Sequence, residues 1–348
     1  MNPHIMALLF FGLGLGTTIT LMSSHWLLAW MGLEINTLAI LPLMAQHHHP
    51  RAVEATTKYF LVQATAAATL LFASTTNAWL TGQWEIEQMT HPLPLTLITL
   101  ALSLKIGLAP LHTWLPEVLQ GLDLLTGLIL STWQKLAPFA LILQISKTDQ
   151  TTLMILALIS TLVGGWGGLN QTQLRKILAY SSIAHLGWMM LIIQFSPSLA
   201  LLTLILYFIL TASAFLTFKT NNATTINALS TSWTKAPAIM ALAPLMLLSL
   251  GGLPPLTGFM PKWLILQELT KQNLPIMATF AALTALLSLY FYLRLSYAMT
   301  LTTSPNNSTN TTPWRLHLPH SSLPLSAAAM MAALLLPLAP AITTLITF

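Results

Sequence analysis

Four ionisable side chains lie within long apolar stretches of the sequence: Glu34, Lys105, Lys135 and Lys262. Each of them lies in a mainly apolar segment, so a helix that contains one of these residues places it in an apolar environment. Burial favours the neutral form of a carboxyl group or an amine, whereas a neighbouring opposite charge favours the charged form. A carboxylate–lysine pair that forms and breaks therefore takes up and releases a proton. One carboxylate and three lysines in such positions indicate proton transfer.

Histidines add two further candidates to this set. His185 lies inside an apolar stretch and shares a helical face with Ser181, four residues earlier, so it fits either a proton relay or a hydrogen-bonded structural role. His112 has the same two interpretations. The run 47–49 consists of histidines, but consecutive side chains do not converge on one ion, and no metal site is predicted. A haem would need paired deep histidines, and only His25, His112 and His185 lie near suitable positions.

The composition describes the surroundings of these groups. Of 348 residues, 55% are hydrophobic and 6% are charged, and the mean hydropathy is +0.73. An ordinary soluble domain is about 25% charged, so a soluble enzyme is excluded. Cysteine is absent, which excludes disulfides, thiolate zinc sites and iron–sulfur clusters. The glycine-rich runs lie in apolar segments and indicate helix packing rather than a nucleotide site. We expect a polytopic membrane protein without a cofactor of its own.

Apolar segments separated by polar or proline-rich breaks predict about eleven transmembrane helices. The long unbroken apolar runs differ from the alternation of a β-barrel, so the predicted fold class is all-α. The predicted spans are 4–22, 25–45, 56–80, 93–120, 124–145, 151–169, 174–194, 198–218, 237–270, 274–299 and 323–346. The fourth and the ninth are longer than a span requires, and each contains prolines near its middle.

A sequence repeat connects these two long segments. The pattern G-L-x-P-L-x-x-x-x-P occurs at 107–116 and again at 252–261, an offset of 145 residues. Five spans separate the two copies, and an odd number reverses the second unit, so the repeat is inverted in the membrane. The predicted organisation is a first five-helix repeat at 1–148, a second at 149–300, a polar loop at 301–322 and a C-terminal helix at 323–348.

The prolines of the repeat predict broken helices. Pro110 has no N–H for the carbonyl of Ile106, and Pro255 has none for the carbonyl of Gly251. Unpaired carbonyls at this depth are tolerated only where protein or water can pair with them. Broken helices at matching positions of inverted repeats are typical of ion pathways, whereas isolated proline kinks are the simpler alternative.

Most of the remaining charges lie in loops or at span ends. With the N-terminus on side A of the membrane, loop cations fall mainly on that side. They are Arg51, Lys58, Arg175, Lys176, Lys219, Lys235, Arg294 and Arg315. Side B has Lys147, Lys271, Glu85, Glu87, Asp149 and Glu268. The positive-inside rule makes side A the cytoplasm or the mitochondrial matrix. Glu117, the repeat equivalent of Lys262, lies near a span end and fits either interfacial anchoring or function.

Several long motifs are specific to one family. They are HWLLAWMGLEIN at 25–36, HPRAVEA at 49–55, KYF at 58–60, KIGLAP at 105–110, STWQKLAP at 131–138, LAYSSIAHLG at 178–187, GGLPPLTGF at 251–259 and PK at 261–262. Through these motifs the sequence resembles, over nearly its whole length, the subunit 2 family of the mitochondrial proton-pumping NADH:ubiquinone oxidoreductase, respiratory complex I.

This resemblance implies an antiporter-like subunit of the membrane arm. It makes Glu34 and Lys105 the coupling Glu–Lys pair, Lys135 the central lysine and Lys262 the lysine at the second break, with His185 as a candidate relay. Protons would move from the matrix to the intermembrane space. NADH, FMN, iron–sulfur clusters and ubiquinone would bind other subunits.

The same resemblance implies partners and a location. The partners would be other membrane-arm subunits and membrane lipids, including cardiolipin, with no nucleic acid. The chain would be a multi-pass protein of the mitochondrial inner membrane, with its N-terminus in the matrix and its C-terminus in the intermembrane space. Two alternatives stay open at this point: a stand-alone cation/proton antiporter of the related fold, and a structural scaffold whose charges only seal helix contacts.

Overall fold

The structure is a computed structural model that describes residues 2–46, 48–89, 91–145, 150–234, 237–302 and 323–347. His47, Lys147, Asp149, Lys235, Arg315 and most of the predicted polar loop (303–322) lie outside the described residues. The helices are α1 (Pro3–Met22), α2 (Trp26–Met44), α3 (Pro50–Thr81), α4 (Pro92–Ile106), α5 (Trp114–Gly121), α6 (Leu124–Ile145), α7 (Gln150–Gly168), α8 (Leu174–Ile192), α9 (Pro197–Thr220), α10 (Ile226–Ser230), α11 (Pro237–Gly251), α12 (Phe259–Lys271), α13 (Pro275–Thr300), α14 (Leu323–Leu334) and α15 (Ala339–Thr347).

The predicted all-α membrane fold is confirmed. Each predicted apolar span coincides with one helix or with a pair of helices, and the described ranges contain no β-strand. Among the residues that the structure describes, seven helices are long and apolar enough to cross a membrane alone, and the C-terminal pair, bent by 65°, would make eight. The helices that end at the two breaks are too short to span alone, so α4 with α5, and α11 with α12, form the long fourth and ninth segments.

Contacts group the chain into two units, of which the first is Met1–Ser160. Within it, α2 packs between α1 and α3, and α3 packs on both α4 and α5. The helix α6 contacts α1, α2 and α4. Five helices, α2 to α6, therefore surround one interior region, and the two halves of the broken segment both face it.

The second unit is Thr161–Phe348. Here α12 packs on α8, α9 and α13, while α11 packs on α9 and α13. The glycine-rich run near the end of α7 brings that helix close to α8, because a Cβ at Gly164 would lie 2.5 Å from the backbone nitrogen of Ala184. The helix-packing interpretation of these glycines is thus confirmed.

Both predicted helix breaks are present, and they begin in the same way. Gly107 and Gly252 directly follow α4 and α11 and have φ angles of +87° and +79°, a left-handed conformation that glycine adopts without a Cβ penalty. The next residue in each break, Leu108 or Leu253, donates its N–H to the carbonyl five positions earlier, at 2.9 Å and 3.3 Å. The repeat seen in the sequence is therefore a repeat of backbone structure.

Candidate functional site

A cavity of about 20 Å³ lies inside the first unit, among α2, α3, α4, α5 and α6. Lys105, in the last turn of α4, and Lys135, in the middle of α6, both line it. Their side chains are buried, with 6% and 2% of their surface exposed. The volume admits about one water molecule. The structure thus brings two of the predicted lysines to one site.

Polar atoms without protein partners surround this cavity. Among the described residues, Lys105 Nζ and both amide atoms of Asn36 are buried and form no hydrogen bond. Gln134, which also lines the cavity, donates a hydrogen bond from Nε2 to the backbone carbonyl oxygen of Asn36 at 3.3 Å. Buried polar groups without protein partners are normally satisfied by ordered water. The cavity therefore has the chemistry of a water site next to two lysines.

The break supplies part of the cavity wall. The last turn of a helix leaves carbonyls without intrahelical donors. Two of these carbonyls in α4 are paired by side chains: Trp114 Nε1 donates to Leu104 at 3.1 Å, and Gln63 Nε2 donates to Lys105 at 3.4 Å. Trp114 also contacts Tyr59, with their ring centroids 5.7 Å apart. Side chains of α3 and α5 thus hold the broken helix in place beside Lys105.

Glu34 is not part of this cavity's lining, although the preceding residue of α2, Leu33, is. Its side chain is half-buried, and its Oε2 accepts a hydrogen bond at 3.1 Å from Thr37 Oγ1, a residue that lines the cavity. Glu34 interacts electrostatically with Lys105. No ion pair joins these two residues in the described part of the chain. The predicted coupling pair is therefore within electrostatic reach and not in direct contact.

A second cavity of about 20 Å³ lies inside the second unit. His185 of α8, Tyr207 of α9 and Lys262 of α12 all line it. His185 and Lys262 are both residues that the sequence predicted, and the structure brings them to the same site. Tyr207 was not among the predicted residues.

Lys262 pairs with the carbonyl that the second break leaves free. Its Nζ donates to the carbonyl of Gly251 at 2.7 Å, and this is the carbonyl that Pro255 deprives of an intrahelical donor. A cation is favoured at the C-terminal end of α11 and disfavoured near the N-terminal end of α12, where Lys262 itself lies. The hydrogen bond to Gly251 thus holds the amine across the break, between the ends of two half-helices.

Lys262→Met is expected to lower the stability of the second unit by about 1–3 kcal/mol, because the Gly251 carbonyl loses its donor and stays buried. The measurement is the apparent melting temperature of the membrane-embedded protein. The matched control is Lys271→Met, since the Lys271 side chain is 61% exposed. Equal melting temperatures for the two variants would show that the Gly251 contact contributes no stability.

His185 is held in one orientation. Its Nδ1 lies 2.7 Å from the carbonyl oxygen of Ser181, and its ring centroid lies 5.7 Å from that of Tyr207. A carbonyl only accepts, so Nδ1 donates and carries a proton. The other ring nitrogen, Nε2, is therefore the atom at which His185 gains or loses its second proton.

Glu117 and His112 lie outside both cavities. Lys58 Nζ contacts Glu117 Oε2 and Glu54 Oε1, each at 2.8 Å, and these three side chains are largely exposed. His112 is half-buried, and its Nδ1 lies 3.2 Å from the Pro110 carbonyl. The ion pair with Lys58 ties α5 to α3 at the surface, which favours the anchoring interpretation of Glu117.

Several cavity residues were not predicted from the sequence: Asn36, Tyr59, Gln134 and Tyr207. A signal for them exists, since polar side chains inside apolar spans normally face the protein interior. That signal is weak because many serines and threonines share it. Only the packing of the helices separates the polar residues at a cavity from those that bond to their own helix.

Known proteins resemble this chain along its entire length. Residues 23–288 match the family described as NADH:quinone oxidoreductase/Mrp antiporter, TM, and residues 289–343 match the NADH dehydrogenase subunit 2 C-terminus. NADH-ubiquinone oxidoreductase chain 2 of Tetraodon nigroviridis is 75% identical over 345 residues, 99% of each chain. The same protein of Salmo salar is 71% identical over 348 residues, 100% of each chain. The chain belongs to the NADH-ubiquinone oxidoreductase chain 2 family.

Solved structures share the fold of this chain. A chain of respiratory complex I from Thermus thermophilus with bound aureothin has a TM-score of 0.87 and 28% identity, covering 100% of this chain and 80% of that one. A chain of the Mrp complex from Dietzia sp. DQ12-45-1b has a TM-score of 0.78 at 17% identity, covering 95% and 74%, and shares the fold. Its membership in the chain 2 family and its several long apolar helices identify this chain as a multi-pass membrane protein.

Proposed function

We propose that this chain is a membrane-arm subunit of the proton-pumping NADH:ubiquinone oxidoreductase, respiratory complex I, and that it translocates protons. The observation that carries the proposal is the placement of lysine beside a helix break at a buried cavity in each unit. Lys105 and Lys135 share one cavity, and Lys262 and His185 share the other. An ionisable residue inside a membrane protein is costly and marks an ion or proton pathway by default.

In the first unit the proton moves between Lys105 and Lys135 across their common cavity. The cavity admits one water, which accepts a proton from one amine while it donates another to the second amine. Glu34 acts on Lys105 through its charge, so a change in the charge of Glu34 changes how firmly Lys105 holds its proton. This makes Glu34 the point at which events elsewhere in the complex reach the lysines.

In the second unit the proton moves between Lys262 and His185. The Gly251 carbonyl fixes the amine of Lys262 at one side of the cavity. The Ser181 carbonyl fixes Nδ1 of His185, so Nε2 exchanges protons with the cavity. Each donor is therefore oriented by a backbone carbonyl, which needs no second ionisable group and adds no charge to the site.

The redox chemistry of the complex belongs to its other subunits. The enzyme is an NADH:ubiquinone reductase that translocates protons, with NADH, FMN, iron–sulfur clusters and ubiquinone bound elsewhere. Cysteine is absent from this chain, and its described residues hold no group of three or more potential metal ligands. Its partners are other membrane-arm subunits of complex I and membrane lipids, including cardiolipin.

The proposed location is the mitochondrial inner membrane. The excess of cations on the loops of side A supports an N-terminus in the matrix and a C-terminus in the intermembrane space. Protons then move from the matrix to the intermembrane space, the direction that stores the energy of NADH oxidation.

The alternative is cation/proton exchange, which the fold shared with the Mrp complex favours. Proteoliposomes that contain the assembled complex, given NADH and ubiquinone, separate the two. Replacement of all sodium and potassium by choline is expected to leave the number of protons moved per NADH oxidised unchanged. A ratio that falls in choline and returns with added sodium or potassium would favour the antiporter.

A further inference from the structure

Tyr207 lies at the second cavity and has no role in the steps described above. Its side chain is only 1% exposed, on the face of α9 that meets α8 and α12. The cavity lining contains five side chains with polar nitrogen or oxygen atoms, namely His185, Trp188, Thr203, Tyr207 and Lys262, and two of these are hydroxyls. The hydroxyl of Thr203 donates to the Ala200 carbonyl of its own helix at 2.8 Å. Tyr207 is therefore the hydroxyl best suited to serve the two ionisable groups.

The surroundings of Tyr207 fix the position of its hydroxyl. Its ring packs against the ring of His185, with centroids 5.7 Å apart and an interplanar angle of 39°. Its hydroxyl is hydrogen-bonded to the side chain of Ser182, which itself donates to the Ala179 carbonyl at 2.8 Å. Because the Ser182 proton is committed to that carbonyl, the Ser182 oxygen accepts from Tyr207. A phenolic oxygen that donates in this way still accepts from a donor in the cavity.

A hydroxyl in this position passes on a proton without becoming charged. It has one hydrogen to give and two lone pairs that accept. When its oxygen accepts a proton from Lys262, directly or through a water molecule that enters the cavity, the hydroxyl turns from Ser182 and gives its own hydrogen to Nε2 of His185. One O–H bond forms as another breaks, so a single proton moves and tyrosine stays neutral.

We propose that Tyr207 is a further proton-transfer residue, whose hydroxyl relays the proton between Lys262 and His185. This inference rests on the proposed function, since it names an additional carrier at the same cavity. It differs from a packing role, in which the ring alone supports His185 and the hydroxyl contributes nothing to transfer.

The test uses Tyr207→Phe in the assembled complex, because this change keeps the ring and removes only the hydroxyl. Membrane vesicles receive NADH and ubiquinone, and the number of protons moved per NADH oxidised is measured. We expect the ratio to fall by as much as in the Lys105→Met variant, which removes a lysine of the proposed pathway. The matched control is Tyr290→Phe, since Tyr290 of α13 is 58% exposed and far less enclosed.

The outcomes separate this inference from the function on which it rests. A normal ratio for Tyr207→Phe together with a lowered ratio for Lys105→Met would overturn the relay and keep the proposed function. Normal ratios in both variants would overturn both. A variant Tyr207→Leu, which also removes the ring, checks the packing role: a loss with Leu and none with Phe assigns Tyr207 to packing alone and overturns the relay.

Discussion

Complexes that carry Lys105→Met are expected to assemble normally and to move fewer protons per NADH oxidised than the unmodified complex. The buried Lys105 Nζ donates no hydrogen bond to another described residue, so its removal leaves no acceptor unpaired. An ionised side chain at the centre of a membrane helix costs about 2.5–3.5 kcal/mol on insertion scales, and methionine avoids that cost at a similar length. Stability is therefore expected to stay constant or to rise, while the proton carrier is lost.

This prediction is checked in vesicles with a pH-sensitive dye, with NADH oxidation followed in parallel. Lys271→Met serves as the control, because it removes a lysine whose side chain is 61% exposed. If the Lys105→Met variant moves the normal number of protons per NADH oxidised, Lys105 is excluded from the pathway. Failure of that variant to assemble would instead support the scaffold alternative, in which the charges seal helix contacts.

Gly258→Ala is expected to reduce the amount of stably assembled complex, although it adds a single methyl group. Gly258 directly precedes α12, and a Cβ there would overlap the carbonyl oxygen of Ser249 in α11. The added Cβ is bonded directly to the backbone of residue 258, and the atom that it meets is a backbone oxygen. Neither atom can therefore move away unless one of the two half-helices moves. Overpacking of a well-packed interior costs about 1–3 kcal/mol, and contact with backbone lies at the upper end.

The amount of assembled complex on native gels measures this effect. Gly14→Ala is the matched control, since a Cβ at Gly14 of α1 would have no heavy atom within 4 Å. Equal amounts of complex in the two variants would show that the second break opens enough to admit a methyl group. In that case α11 and α12 are less tightly joined than the contact between Gly258 and Ser249 indicates.

The elements of the fold could be predicted closely, because the membrane imposes simple rules. Apolar length predicted every long helix, and the prolines at 110 and 255 predicted where the fourth and ninth segments break. The sequence predicted that the Gly251 carbonyl would lack an intrahelical donor and would need another partner. It did not predict which residue would be that partner. Its partner, Lys262, follows it by eleven residues across a loop whose path the sequence pattern does not specify.

The site was predicted in part. Scarcity of charge made Lys105, Lys135 and Lys262 stand out, since an ionisable residue inside an apolar helix is costly and is rare outside functional sites. Glu34 was expected to pair with Lys105, and the two interact without direct contact. Neutral polar residues such as Asn36 and Tyr207 were missed, because many polar residues in these helices bond to their own backbone and give the same sequence signal.

By itself, the sequence determined that this protein lies in a membrane, that it is helical, and which few ionisable residues lie inside its apolar segments. These three conclusions follow from local composition. Composition is sufficient here because a transmembrane span must be a long apolar helix, in which any ionisable residue stands out. Only the tertiary structure decided which of those residues share a cavity: Lys105 with Lys135, and Lys262 with His185. Sharing a cavity depends on the rotation and crossing of separate helices. Those are set by side-chain packing between distant segments, which no local pattern contains.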